Sequence, residues 1–136
     1  MSQTSTSLSR GYLLDTNAAI ARMSGDQTIE RFLQTGQGIF FSSIVVGELF
    51  FGAEKSSQVE RNRATVEAFI TGRSILNCNA ETARWYGRIQ AQLRRKGRPI
   101  PQNDIWIAAT ALQHNLTLLT RDKHFQYVDE LTVESW

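Results

Sequence analysis

Four carboxylates in this 136-residue chain stand where carboxylates are costly. Asp15 ends the apolar run Tyr12-Leu13-Leu14, and Asp122 follows Thr117-Leu118-Leu119-Thr120 by two positions. Glu48 lies in SIVVGELFFGA, where helical spacing gives it the face of Ile44, Val45, Phe51 and Gly52. Asp104 lies in NDIWIAATAL and shares a face with Ile107, Ala108 and Ala111. Each acid has an ordinary explanation alone: a helix cap for Asp15, a turn for Asp122, a macrodipole partner for Asp104, a rotated face for Glu48. Four of them converging on one pocket would repel, and either protonation or a cation resolves that repulsion. A hard ion with oxygen ligands, Mg²⁺ or Mn²⁺, suits the set better than zinc. The chemistry such a centre supports is phosphodiester hydrolysis, with the phosphate polarised and a water activated. Thr16, Asn17 and Thr120 adjoin the acids and could orient a carboxylate or a water, although turn and capping chemistry explains each one singly.

The elements that must position these residues alternate between strands and helices. Short strands are expected at 12–14, 39–41, 75–76 and 116–119, with Leu131-Thr132-Val133 as a further edge strand. Helices are expected over 17–23, 26–34, 44–55, 58–70, from Asn79 to about Lys96, and from Gln102 to His114. Ser42 or Ser43 can cap the third helix, Asn79 the fifth, and Gly97 falls where a left-handed C-terminal residue belongs. Strands separated by helices imply an α/β fold with a central, mainly parallel sheet of four to five short strands. In such sheets ligands bind beyond the carboxyl ends of the strands, where Asp15 and Asp122 would stand together if their strands are neighbours.

Length and composition fit one domain with a sizeable core, read as residues 11–136 behind a loose polar tail at 1–10. The single cysteine, Cys78, excludes an intrachain disulfide framework and a cysteine-rich zinc site. No segment approaches a membrane span and the tail lacks the apolar stretch of a secretory signal, so a cytoplasmic location is expected. Net charge is only +2, but Arg94, Arg95, Lys96 and Arg98 cluster within five positions. They suit contacts to RNA phosphates and equally suit the C-terminus of a helix.

The ordered set DTN, GEL, NDIWIAATA and LLTRDKHF, together with GAEKS, GRPIP and the terminal ESW, resembles the PIN-domain nucleases over nearly the whole chain after the tail. Within them it is most similar to the VapC-like toxins of bacterial toxin–antitoxin pairs. The resemblance implies a PIN-like fold and a Mg²⁺ or Mn²⁺ site at the positions of Asp15, Glu48, Asp104 and Asp122. It also implies hydrolysis of RNA, often tRNA, leaving a 5′-phosphate and a 3′-hydroxyl. The expected partners are a second copy of the chain and a small antitoxin that lays a peptide over the active site.

Other chemistry-bearing residues are read as structural. His124 is expected to be a loop histidine, His114 a helix-end residue, and Cys78 an unactivated thiol. Trp85, Tyr86 and Trp106 suit the core or a subunit surface, while Phe50 and Phe51, adjacent on one helix, must face different ways. Two other functions compete. A phosphatase or phosphotransfer domain also places an Asp at a strand end, but Asn17 stands where a dehalogenase-type phosphatase has its second Asp. A non-catalytic RNA- or protein-binding module of the same fold is opposed by the intact acids.

Overall fold

The Tyr12-Leu13-Leu14 run takes the central place that its unbroken apolarity demands, because a strand covered on both faces has no solvent side. In a computed structural model describing residues 11–34 and 36–136, β1 (Gly11–Leu14) lies between β2 (Gly38–Ser42) and β4 (Thr117–Leu119). Beyond β2 lies β3 (Ser74–Leu76), and beyond β4 lies β5 (Val133–Glu134). All four pairings are parallel. Every residue of β1 and β4 is buried. Leu13 sits opposite Phe40 on one side and Leu118 on the other, which fixes the register of the core. Gly11 sits opposite Gly38, and a Cβ at Gly11 would fall 2.3 Å from the Gly38 carbonyl oxygen, so this approach requires glycine.

Six helices surround the sheet: α1 (Thr16–Met23), α2 (Gln27–Phe32), α3 (Ser43–Glu54), α4 (Val59–Ile70), α5 (Ala80–Lys96) and α6 (Gln102–Gln113). A 3₁₀ turn, Lys123–Tyr127, follows β4. Ser42 caps α3 through Val45 N, and Asn79 and Thr82 form a reciprocal capping box on α5. Gly97 ends α5 at φ 66°, as expected of its position. The edge strand differs from the sequence expectation: it is Val133–Glu134, because these residues pair with Leu118 and Leu119, while Leu131 packs against the core. The polar tail lies outside the described residues. Among those described, no helix is long and apolar enough to cross a membrane.

Placement of α6 matters most for the site. Ile105 and the run Ile107–Ala111 are buried, so the helix is enclosed nearly all round and its alanines allow close approach of its neighbours. Thr82, fully buried, donates its hydroxyl to Gln113 Oε1, and Gln113 Nε2 donates to Asn79 Oδ1 at 3.0 Å. That network ties the end of α6 to the start of α5 and sets where Asp104 stands at the other end. Leu118→Ala, at a position with no exposure, is expected to destabilise the fold by about 3 kcal/mol, read as a lower urea midpoint with an unchanged slope.

Candidate active site at the strand switch point

Chain order reverses at β1: β2 and β3 lie to one side of it, β4 and β5 to the other. In open parallel sheets the segments leaving two such strands diverge, and a ligand crevice forms above their carboxyl ends. Asp15 stands at the foot of this crevice. Its N–H still bonds the Leu119 carbonyl at 3.2 Å, so the sheet ladder ends on it. Its Oδ1 accepts from Ala18 N at 2.9 Å, so the acid also caps α1. The side chain is buried at 5% exposure, and that burial pushes its pKa up. Hydrogen bonds from the Thr120 hydroxyl and the Ala18 N–H oppose the shift, whereas the charges of Asp122 and Glu48 add to it. Thr120 in turn accepts from Asp122 N at 2.9 Å, so one buried hydroxyl fixes both acids of the crevice.

Glu48 comes from α3, whose core face is Val45, Leu49 and Ala53. One step round from Leu49, it is half-buried at the edge of that face and points to the same site. Thr16 donates its hydroxyl to Glu48 Oε1, and Asn103 Nδ2 donates to Oε2 at 3.1 Å. Asp104, in the first turn of α6, is also half-buried. Burial is the main cause of its raised pKa; the nearby His124 imidazole opposes the shift, and the charges of Glu48 and Asp122 reinforce it.

His124, expected to be an ordinary loop residue, lies wedged between two of the acids. Its Nε2 is 2.9 Å from Asp104 Oδ2 and its Nδ1 is 3.0 Å from Asp122 Oδ1. The Nε2 contact is close but not directed along a hydrogen bond, and this nitrogen is buried without a hydrogen-bonding partner. Donor atoms of Asp104, Asp122 and His124 all lie within 4.8 Å of one another. The turn carrying His124 is fastened to α5: Gln92 Nε2 donates to the Tyr127 carbonyl at 2.6 Å, Gln92 Oε1 accepts from Asp129 N at 3.0 Å, and Lys96 Nζ reaches Asp129 Oδ1 at 2.7 Å.

Of the four acids named from sequence, Asp104 and Asp122 come together with His124, and the charges of Glu48 and Asp122 act on both Asp15 and Asp104. Thr16 bonds Glu48 and Thr120 bonds Asp15 and Asp122, whereas Asn17 is exposed, with no hydrogen bond to any of these acids among the described residues. Of the basic run, Lys96 is engaged with Asp129, and Arg98 stacks over the Tyr127 ring at 4.6 Å. Arg94 and Arg95 are exposed. Sequence reading missed Asn103, for which adjacency to Asp104 was the available signal, and undervalued His124, for which the Asp-x-His spacing was.

The PIN domain family profile matches residues 12–131. The chain is 38% identical over 128 residues to Ribonuclease VapC2 of Haemophilus influenzae, covering 92% of this chain and 97% of that protein. This is a PIN domain of the VapC group. The tRNA(fMet)-specific endonuclease VapC of Shigella flexneri is 35% identical, with the same coverage. Among solved structures, VapBC2 from Rickettsia felis bound to a promoter DNA fragment superposes with a TM-score of 0.86 at 30% identity, covering 93% of this chain and 98% of that one. DNA-bound VapBC from Salmonella typhimurium gives 0.84 at 36% identity and the same coverage. The donors present fit a cation: carboxylates whose pKa is raised by burial and further by one another's charge, beside an imidazole nitrogen that is sealed from solvent and lies 2.9 Å from Asp104 Oδ2.

Both resolved carboxylate shifts run upward. Stability contributed by Asp15 and Asp104 is therefore complete below the ordinary value of 3.8 and is lost as pH rises through their elevated pKa values. Asp15→Asn keeps a good cap and removes one buried charge. In EDTA, the variant is expected to gain stability relative to the parent as pH climbs from the carboxylate range to 7, with Mg²⁺ or Mn²⁺ narrowing the gap; urea unfolding across that range measures it.

Proposed function

We propose that this VapC-group PIN domain is a metal-dependent endoribonuclease, the toxin of a toxin–antitoxin pair, with Asp15, Glu48, Asp104 and Asp122 as its catalytic acids. The observation that carries the reading is the meeting of Asp104, Asp122 and His124 donor atoms within 4.8 Å at the strand switch point, beside two further acids. The names of its relatives, a ribonuclease and a tRNA(fMet)-specific endonuclease, support RNA as substrate, with tRNA the class to test first.

A bound Mg²⁺ or Mn²⁺ would supply positive charge at the scissile phosphate and lower the pKa of an attacking water. Asp104 and Asp122 offer carboxylate oxygens to it. Asp15, fixed by Ala18 N and Thr120, holds negative charge at the floor of the site. Glu48 has both oxygens oriented, by Thr16 and by Asn103, and each keeps a lone pair free for a cation or a water. With water as the nucleophile and the 3′-oxygen as the leaving group, the products would be a 5′-phosphate and a 3′-hydroxyl, with no covalent adduct and no use of the substrate 2′-hydroxyl. Arg94 and Arg95 would contact RNA phosphates without reading sequence.

The same reading includes a small antitoxin and a homodimer. Solved relatives are VapBC complexes. Here an apolar groove of about 250 Å³, lined by Ile20, Met23, Leu49 and Val66, runs up to Glu48 and offers an antitoxin peptide a seat beside the acids. Phe51, 64% exposed, is the apolar surface a second copy would cover. We read residues 11–136 as one nuclease domain acting in the cytoplasm.

Total tRNA incubated with the chain and Mg²⁺ or Mn²⁺ is expected to be cut at discrete sites. EDTA should stop the reaction, and Asp122→Asn should slow it on the order of 100-fold or more. New 5′ ends that ligate directly to an adaptor establish the 5′-phosphate. RNA that is bound but never cut, with any divalent ion, would establish the non-catalytic reading instead.

A further inference from the structure

We propose that His124 is a nitrogen ligand of the divalent ion, which makes this a mixed oxygen and nitrogen site that favours Mn²⁺ over Mg²⁺. The inference rests on the metal-dependent reading above and deepens it. Three observations support it. First, the donor atoms that cluster most tightly include this imidazole as well as the two carboxylates. Second, Nε2 is sealed from solvent without a hydrogen-bonding partner, although Asp104 Oδ2 stands only 2.9 Å away. A buried ring nitrogen without a directed bond is an unfavourable arrangement unless something else uses its lone pair. Third, the other ring nitrogen lies 3.0 Å from Asp122 Oδ1, so the ring is held between the two carboxylates.

The ring is also held for the task. The His124 N–H donates to Asp122 Oδ1 at 3.3 Å, and its ring lies 4.7 Å from that of Phe125, which is buried at 1% exposure. Gln92, itself buried, clamps the far end of the same turn through Tyr127 and Asp129. The consequence for ion choice is chemical. Mg²⁺ is a hard ion that keeps waters and takes oxygen donors, while first-row transition ions gain from imidazole.

The chain has two histidines, and that makes the test clean. His114 caps the opposite end of α6 from Asp104, about 15 Å along the helix. Pulsed electron paramagnetic resonance of the full chain loaded with Mn²⁺ is expected to show the coupling of one directly coordinated imidazole nitrogen. That coupling should change isotope pattern when the protein is grown with ¹⁵N-histidine. In His124→Asn it should vanish while Mn²⁺ still binds, and the ratio of Mn²⁺ to Mg²⁺ affinity should fall roughly ten-fold. The wild-type spectrum decides the matter even if the variant folds poorly. Mn²⁺ bound without nitrogen coupling, in a chain that still cleaves RNA, overturns this inference alone. No Mn²⁺ binding by the wild type overturns it together with the metal-dependent reading.

Discussion

Partial dehydration of neighbouring carboxylates, sharpened by their mutual repulsion, is the constraint that this site must meet. Asp15 and Asp104 are disfavoured as anions by burial and again by the acids beside them. The chain counters with donors that cannot easily leave: a backbone N–H at the start of α1, the Thr120 hydroxyl, the Thr16 hydroxyl and the Asn103 amide. None of these neutralises charge outright. They hold the acids in place and leave an electrostatic deficit that, on the proposed reading, a cation would fill. Parallel strand order is what makes such a gathering feasible, because it brings two strand ends and two helix faces to a single crevice.

Asp15 shows how a structural and a chemical role can share one side chain. As a cap it stabilises α1, and a cap does not require a negative charge, since asparagine serves nearly as well. A carboxylate is thus surplus to folding at this position, and burial disfavours its charged form. Surplus of that kind is a better indicator of chemistry than the identity of the residue, since acids at helix starts are common.

Much of this arrangement was legible in the sequence. Unbroken apolar runs located β1 and β4, glycine and cap residues placed the helix ends, and acids on apolar faces drew attention to Glu48 and Asp104. Readings failed where the deciding interaction joins residues distant in sequence. Asn17 sits beside Asp15 in the chain, but its place on α1 turns it to solvent, whereas Thr16, one residue earlier, meets Glu48 across 32 positions. For Lys96 and Arg98 the sequence offered RNA phosphates or the helix end as partners, because Tyr127 and Asp129, which engage them, lie about thirty positions on. The edge strand slipped because two-residue pairing is set by its neighbour and carries almost no local signal.

The fastening of the 3₁₀ turn by Gln92 and Lys96 separates possession of a motif from competence to use it. A homologous chain could keep every acid and still misaim two of them if the long helix lost its amide at that position. Such a chain would read as an intact nuclease on paper and behave as a folded, inert one. On the proposed reading, the working part is not four letters but four letters and the strut that sights them.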